Sequence, residues 1–176
     1  RKERVWVYQQ MTIGGNNMSE VSKGISLAQK KIIQGVFIIS TRAGEKINAM
    51  TAAWVSRASF TPPIITVSVG KTRYTHDLIS ASGVFAVHVL GHEHISIGKH
   101  FGLKSGRKTD KFAGIAFETK ATGSPIIRDC LSWMDCKAIG EIDAGDHTVF
   151  VGEVIEAGVI KEDGVPLAYE RESFYK

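Results

Sequence analysis

Two apolar, β-rich runs late in the chain, 131–142 and 147–160, are separated by four residues, Asp143-Ala144-Gly145-Asp146. A parallel crossover needs about a dozen residues or more, so a link this short forces the runs to pair antiparallel through a tight turn. The same pattern recurs earlier. GVFIISTR (35–42) turns through Ala43-Gly44-Glu45-Lys46 into a segment starting at Ile47. Ile64–Val69 and Val84–Leu90 read as further strands, and another lies near 115–119. Helical signals are fewer. Ser19–Lys31 has a capping serine and apolar residues at Val21, Ile25, Ala28 and Ile32. A short helix after Thr75, which stands at its cap, ends at Gly83, and His92–Phe101 forms a third. Strands that follow one another directly argue against a doubly wound parallel sheet. They predict a mainly β fold, an antiparallel barrel with a few peripheral helices.

The 176 residues, 43% of them hydrophobic, suit one domain with a substantial core. No apolar run approaches the roughly 18 residues of a membrane span. The net charge of +4 and pI near 9.1 suit a small phosphorylated ligand and do not argue for nucleic acid. Cys130 and Cys136 are expected on one strand, on the same face and too far apart for a disulfide, as reduced core thiols of a cytoplasmic protein. Residues 1–18 contain the breaker Gly14-Gly15-Asn16-Asn17. They read either as an extension or cloning remnant ahead of a native start at Met18, or as a short edge strand, VWVY (5–8). The main domain is expected to run from 19 to 176.

Three stretches carry candidate chemistry. NAMTAAWVSRASFTPP (48–63) is built from small residues and hydroxyls between two strands. Small side chains let a flat ring approach the backbone, whose N–H and C=O groups can read a heterocycle's edge. The same composition also suits a strand under a helix. GKTRYTHD (70–77) sets Lys71, Thr72, Arg73 and Thr75 at a helix start, where free N–H groups and the helix dipole attract anions. An ordinary exposed helix start has the same residues. GDH (145–147) places His147 at the mouth of a strand, either as a proton-transfer or ligand group or as a turn residue. Two further groups are weaker. His92, His94 and His100 lack the companions of a metal site, and no metal is expected. The loop Lys104, Arg107, Lys108, Lys111 reads equally as a dinucleotide phosphate contact or as a solvated charge run. GxGxxG, Walker and HExxH motifs do not occur.

In this order, NAMTAAWVSRASFTPP (48–63), KTRYTHDL (71–78), SGVFAVHVL (82–90), FGLKSGRKTDKF (101–112), GDHTVFVGEV (145–154) and the closing PLAYERESFY resemble the flavin reductase family. The resemblance runs from about residue 25 to the C-terminus and leaves 1–18 without a counterpart. It implies an FMN-binding split β-barrel, antiparallel and Greek-key-like, assembled as a homodimer. It further implies binding of FMN, or of FAD in some members, and hydride transfer from NAD(P)H to flavin. The reduced flavin then serves a monooxygenase or another electron acceptor protein, or reduces ferric complexes. The family also includes flavoredoxin-like electron carriers, which are reduced by a protein partner.

Carried onto this chain, the resemblance places the isoalloxazine ring along Asn48, Ala49, Met50, Thr51, Ala52 and Ala53, with Trp54 and Phe101 nearby. Ser59 and Phe60 follow the ribityl chain. Lys71, Arg73, Tyr74 and Thr75 form the phosphate end. His147 is the catalytic candidate beside flavin and nicotinamide. Ala53, Thr72 and Tyr74 stand where the family's pattern differs or varies, which leaves FMN against FAD open.

Overall fold

A computed structural model describes residues 19–169; the extension expected over 1–18 and the last part of the closing segment, 170–176, lie outside them. The chain divides into two units, 1–32 and 33–176. The described part of the first is α1 (Glu20–Gln29), whose cap is the expected one: the Ser22 N–H donates to the Ser19 hydroxyl at 3.1 Å. It buries none of its own residues.

The second unit is mainly β. In chain order it contains β1 (Phe37–Ala43), β2 (Lys46–Ala52), β3 (Val55–Ser59), β4 (Ile64–Gly70), α2 (Tyr74–Ser82) and β5 (Val84–Val89). A 3-10 turn at His92–His94 leads into α3 (Ile95–Gly102). Then come β6 (Glu118–Thr119), β7 (Pro125–Ile126), β8 (Ser132–Ala144) and β9 (His147–Val159). Seven strands form one antiparallel sheet in the order β2-β1-β5-β8-β9-β4-β3. The opening pattern is thus realised as the β1–β2 and β8–β9 hairpins.

The connection from β2 to β3 determines how this sheet is shaped. The two strands are its opposite edges, yet only Ala53 and Trp54 join them. Three Cα steps reach at most about 11 Å. The sheet must therefore roll until its edges lie side by side, leaving a barrel with one unpaired seam.

Side chains of successive residues point to opposite faces of a strand. On β5, Phe85 and Val87 enter the barrel with Ile39, Val67 and Phe150, while Ala86 packs outward in a cluster with Ile38, Leu90, Ile97, Phe101 and Trp133. Gly152 makes room inside: a Cβ there would lie 2.4 Å from the Phe85 ring. His88, fully buried, ties the outer layer to the barrel. Its Nδ1–H donates to the Ile38 carbonyl at 3.1 Å, and its Nε2 accepts from the Ile127 N–H at 3.0 Å.

Several expectations need correction. The strand near 115–119 shrinks to Glu118–Thr119, paired with an unforeseen Pro125–Ile126. The cysteines do not share a face: Cys130 lies in the bend before β8 and packs outward, whereas Cys136 faces the barrel interior. Both are free and buried, and burial pushes each thiol up to about 12. The cap of α2 is Arg73, not Thr75. In the closing segment, Pro166–Tyr169 pairs back through single bridges, Gly35 with Ala168 and Gly91 with Pro166. Among the described residues no helix is long and apolar enough to cross a membrane.

Candidate functional site

β2 is an edge strand, paired on one side only with β1. Along such a strand the main-chain groups of alternate residues point to opposite sides. The Ala49 carbonyl accepts from Lys111, so Ala49 and Thr51 are the residues whose main chain faces away from β1. The small side chains of this stretch keep that edge accessible.

Beside it opens a cleft of about 370 Å³, within the range of small-molecule sites. Asn48, Met50, Thr51, Ala52 and Ala53 form one wall. Arg73, Tyr74 and Thr75, the first turn of α2, contribute a second, together with Thr72. Phe101 at the end of α3 and the loop from Gly102 to Gly106 cover it, with Lys111 and Tyr169 completing the lining.

Hydrogen bonds lock these walls together. Asn48 Nδ2 donates to the Thr75 hydroxyl at 2.8 Å, joining β2 to α2. The Thr51 hydroxyl donates to the Gly98 carbonyl at 2.5 Å, joining β2 to α3. Gly106 passes so close over Asn48 that a Cβ would lie 2.0 Å from Asn48 Oδ1. Only glycine lets the loop close there.

The electrostatics are one-sided. Arg73, Lys104 and Lys111 line the cleft, and no Asp or Glu does so among the described residues. The free N–H groups of the α2 start add to that positive field. The cleft can therefore take a ligand with a flat polar ring on the β2 edge and an anionic group toward α2.

Not every expected residue lies on the cleft. Ala49 does not: its side chain is fully buried in the outer cluster, so its part is limited to its main chain. Lys71 is drawn away into an ion pair with Asp143 at 2.8 Å. Ser59 ends β3, and Phe60 is 76% exposed under the Arg57 guanidinium. Trp54 and His147 sit together instead, ring centroids 4.6 Å apart, with His147 Nδ1 2.8 Å from the Asp146 carboxylate. That pair is close to the start of α2: His147 Nε2 and Arg73 Cγ both lie within 4 Å of where a Gly70 side chain would begin.

The cofactor set expected from sequence lacks Thr72, Gly102, Leu103, Lys104, Ser105, Gly106, Lys111 and Tyr169, all of which line the cleft. Thr72, Lys104 and Lys111 stood within stretches already singled out for charge and hydroxyls. Tyr169 has no local signal; it arrives because its N–H donates to the Gln34 carbonyl at 2.7 Å. Of the histidines at 92–100, His94 and His100 have structural roles, while His92 is exposed. His94 Nδ1 accepts from the Gly91 N–H, and His100 Nε2 donates to the Lys111 carbonyl. Among the described residues no cluster could hold a metal ion.

Comparison with known proteins adds a second line. A family model described as a flavin reductase like domain matches residues 29–176. The chain is 36% identical over 137 residues to a high molecular weight rubredoxin from Moorella thermoacetica, covering 77% of this chain and 59% of the relative. It is 33% identical over 154 residues to diflavin flavoprotein A 1 from Synechocystis sp. strain PCC 6803, covering 87% of this chain but 26% of that protein. The chain thus spans about a quarter of such diflavin relatives. In three dimensions it matches the flavin reductase PheA2 with a TM-score of 0.72 and 28% identity, over 86% of this chain and 94% of that one.

Proposed function

The chain belongs to the flavin reductase-like family, and from that premise we propose that it is an FMN-binding oxidoreductase that takes hydride from NAD(P)H. The observation that carries this reading is the cleft between β2 and α2, with three cations, no carboxylate among its described lining residues and an open main-chain edge. A flavin nucleotide fits that donor set. The main chain of Thr51 and its neighbours reads the ring edge, and Arg73 with the α2 start receives the phosphate. Phe101 and the Gly102–Gly106 loop shield the bound ring from water.

Bound flavin supplies the redox chemistry, accepting hydride from a nicotinamide and passing electrons on. The protein contributes position and charge. Trp54 and His147 offer a half-exposed aromatic surface next to Arg73, which supports a place for the nicotinamide there, with His147 as its positioning residue. FAD is accommodated if its second half extends past the Arg107–Lys108 loop. We further place the protein in the cytoplasm as a homodimer serving a monooxygenase or another acceptor protein. The buried free thiols suit a reducing compartment.

One observation favours a second reading, a flavoredoxin-like carrier reduced by a protein partner. The relatives above 30% identity named here are a rubredoxin and a diflavin flavoprotein, and the chain spans only part of each. An anaerobic absorbance titration separates the two. Protein loaded with FMN that bleaches on NADH or NADPH supports the reductase and names its donor. Bleaching by dithionite alone supports the carrier. Failure to bind any flavin removes both.

A further inference from the structure

Among the described residues, Lys111 is the one Lys or Arg that is buried, at 4% exposure, yet it lines the cleft. An ammonium has three N–H groups. Two of them donate, each at 2.8 Å, to the Ala49 carbonyl on β2 and the Phe101 carbonyl in the last turn of α3. No third acceptor and no carboxylate partner lies among the described residues. Exposed cations elsewhere do pair: Lys71 with Asp143, Arg107 with Asp77, Arg128 with Glu118, Lys161 with Glu93. A buried charge without a counter-charge is unfavourable. Burial, with Arg73 adding to it, pulls the Lys111 ammonium down to about 8.

Its position singles out one end of the cleft. The carbonyl it holds belongs to Ala49, next to Asn48, whose amide reaches Thr75 on α2. Arg73 is close enough to act on its charge.

We propose that Lys111 donates its third N–H to the phosphate of the bound flavin nucleotide and so sets the preference for FMN over riboflavin. The proposal rests on the flavin reading above. The ligand's phosphate supplies the counter-charge that the fold withholds. Binding then raises the Lys111 pKa, so affinity for FMN is constant below pH 8 and falls above it. The charged or titratable groups around Lys111 are Arg73 at the start of α2, Lys104 and Asp110 on the loop, His100 on α3, and the phenols of Tyr74 and Tyr169.

The test measures dissociation constants of FMN and riboflavin by calorimetry, from pH 7 to 9, for the full chain and for Lys111→Met and Lys111→Arg. The phosphate, with a second pKa of about 6, is dianionic throughout. Lys111→Met is expected to weaken FMN about tenfold and leave riboflavin within twofold, while Lys111→Arg retains most FMN affinity. The wild-type preference for FMN should decline above pH 8, and that decline should vanish in Lys111→Met. If FMN and riboflavin weaken together, or the preference does not change, the proposal is overturned. Should Lys111→Met fail to fold, the wild-type pH series decides alone, since a flat preference overturns the proposal. A wild type that binds neither flavin overturns the functional reading itself, a result distinct from normal riboflavin binding without a Lys111 effect.

Discussion

Arg73 was readable from sequence because what matters about it is local: it stands at a helix start, and the N–H groups around it come from its own neighbours. As the helix cap it lines the cleft with its guanidinium exposed and without an ion pair among the described residues. Arg73→Ala should weaken FMN by about 1.5 kcal/mol, roughly tenfold, toward the low end for a charged hydrogen bond because solvent screens it. Calorimetry at moderate salt checks this, and an unchanged dissociation constant would take Arg73 out of the phosphate site. His147 behaves differently, since it stands beside the cleft with Trp54 and not in its lining. His147→Asn is therefore expected to raise the KM for the nicotinamide several-fold while FMN affinity stays within twofold. A loss of FMN affinity instead would place the ring under His147. Lys111 and Tyr169 show why sequence alone stops short. One looks like a loop cation and is buried by carbonyls from two distant elements; the other reaches the cleft through a pairing across the fold.

At the scale of elements, the long strands were legible because period-two burial repeats over enough residues to be seen, as along β4 and the first half of β9. Two-residue strands such as β6 and β7 have no period to read, and a proline in β7 argues against a strand at all. The long hairpin also hides its tightest constraint. Gly152 on β9 looks like an ordinary strand glycine, but the Phe85 ring fills the space where a side chain would begin, with the Cys136 Cβ 3.2 Å from the same point. Gly152→Ala forces the ring off its position in a packed interior and should cost about 1–3 kcal/mol. Urea unfolding would show it as a lower midpoint with unchanged slope. Adding Phe85→Leu, which shortens the obstructing side chain, should recover part of the loss. Strictly additive destabilisation would mean that the ring is not the obstacle.

At the largest scale, the barrel of the second unit is held by two features remote from each other in sequence. The two-residue β2–β3 link draws the sheet edges together and places the open edge of β2 against the cleft. Closure was legible as a fold class but not as this seam, because strand order depends on pairings that no local pattern encodes. The second feature is His88, which holds the outer layer to the barrel through Ile38 and Ile127. Desolvation, opposed weakly by the Ile38 bond, lowers its pKa from 6.5 to about 4. The unfolded chain binds a proton near pH 6.5 and the folded one only near 4, so between these values the unfolded state holds more protons and stability rises with pH. The contribution is fully present above 6.5 and is lost as pH falls toward 4. Its size is about 3 kcal/mol at about 1.4 kcal/mol per pKa unit. Asp135, pushed upward by burial, works in the opposite sense over its own range and softens the acid loss. His88→Gln, which retains a donor and an acceptor without titrating, isolates the histidine. Urea midpoints measured from pH 7 to 4 should fall more steeply for wild type than for His88→Gln. Parallel curves would mean that the acid sensitivity of the fold originates elsewhere.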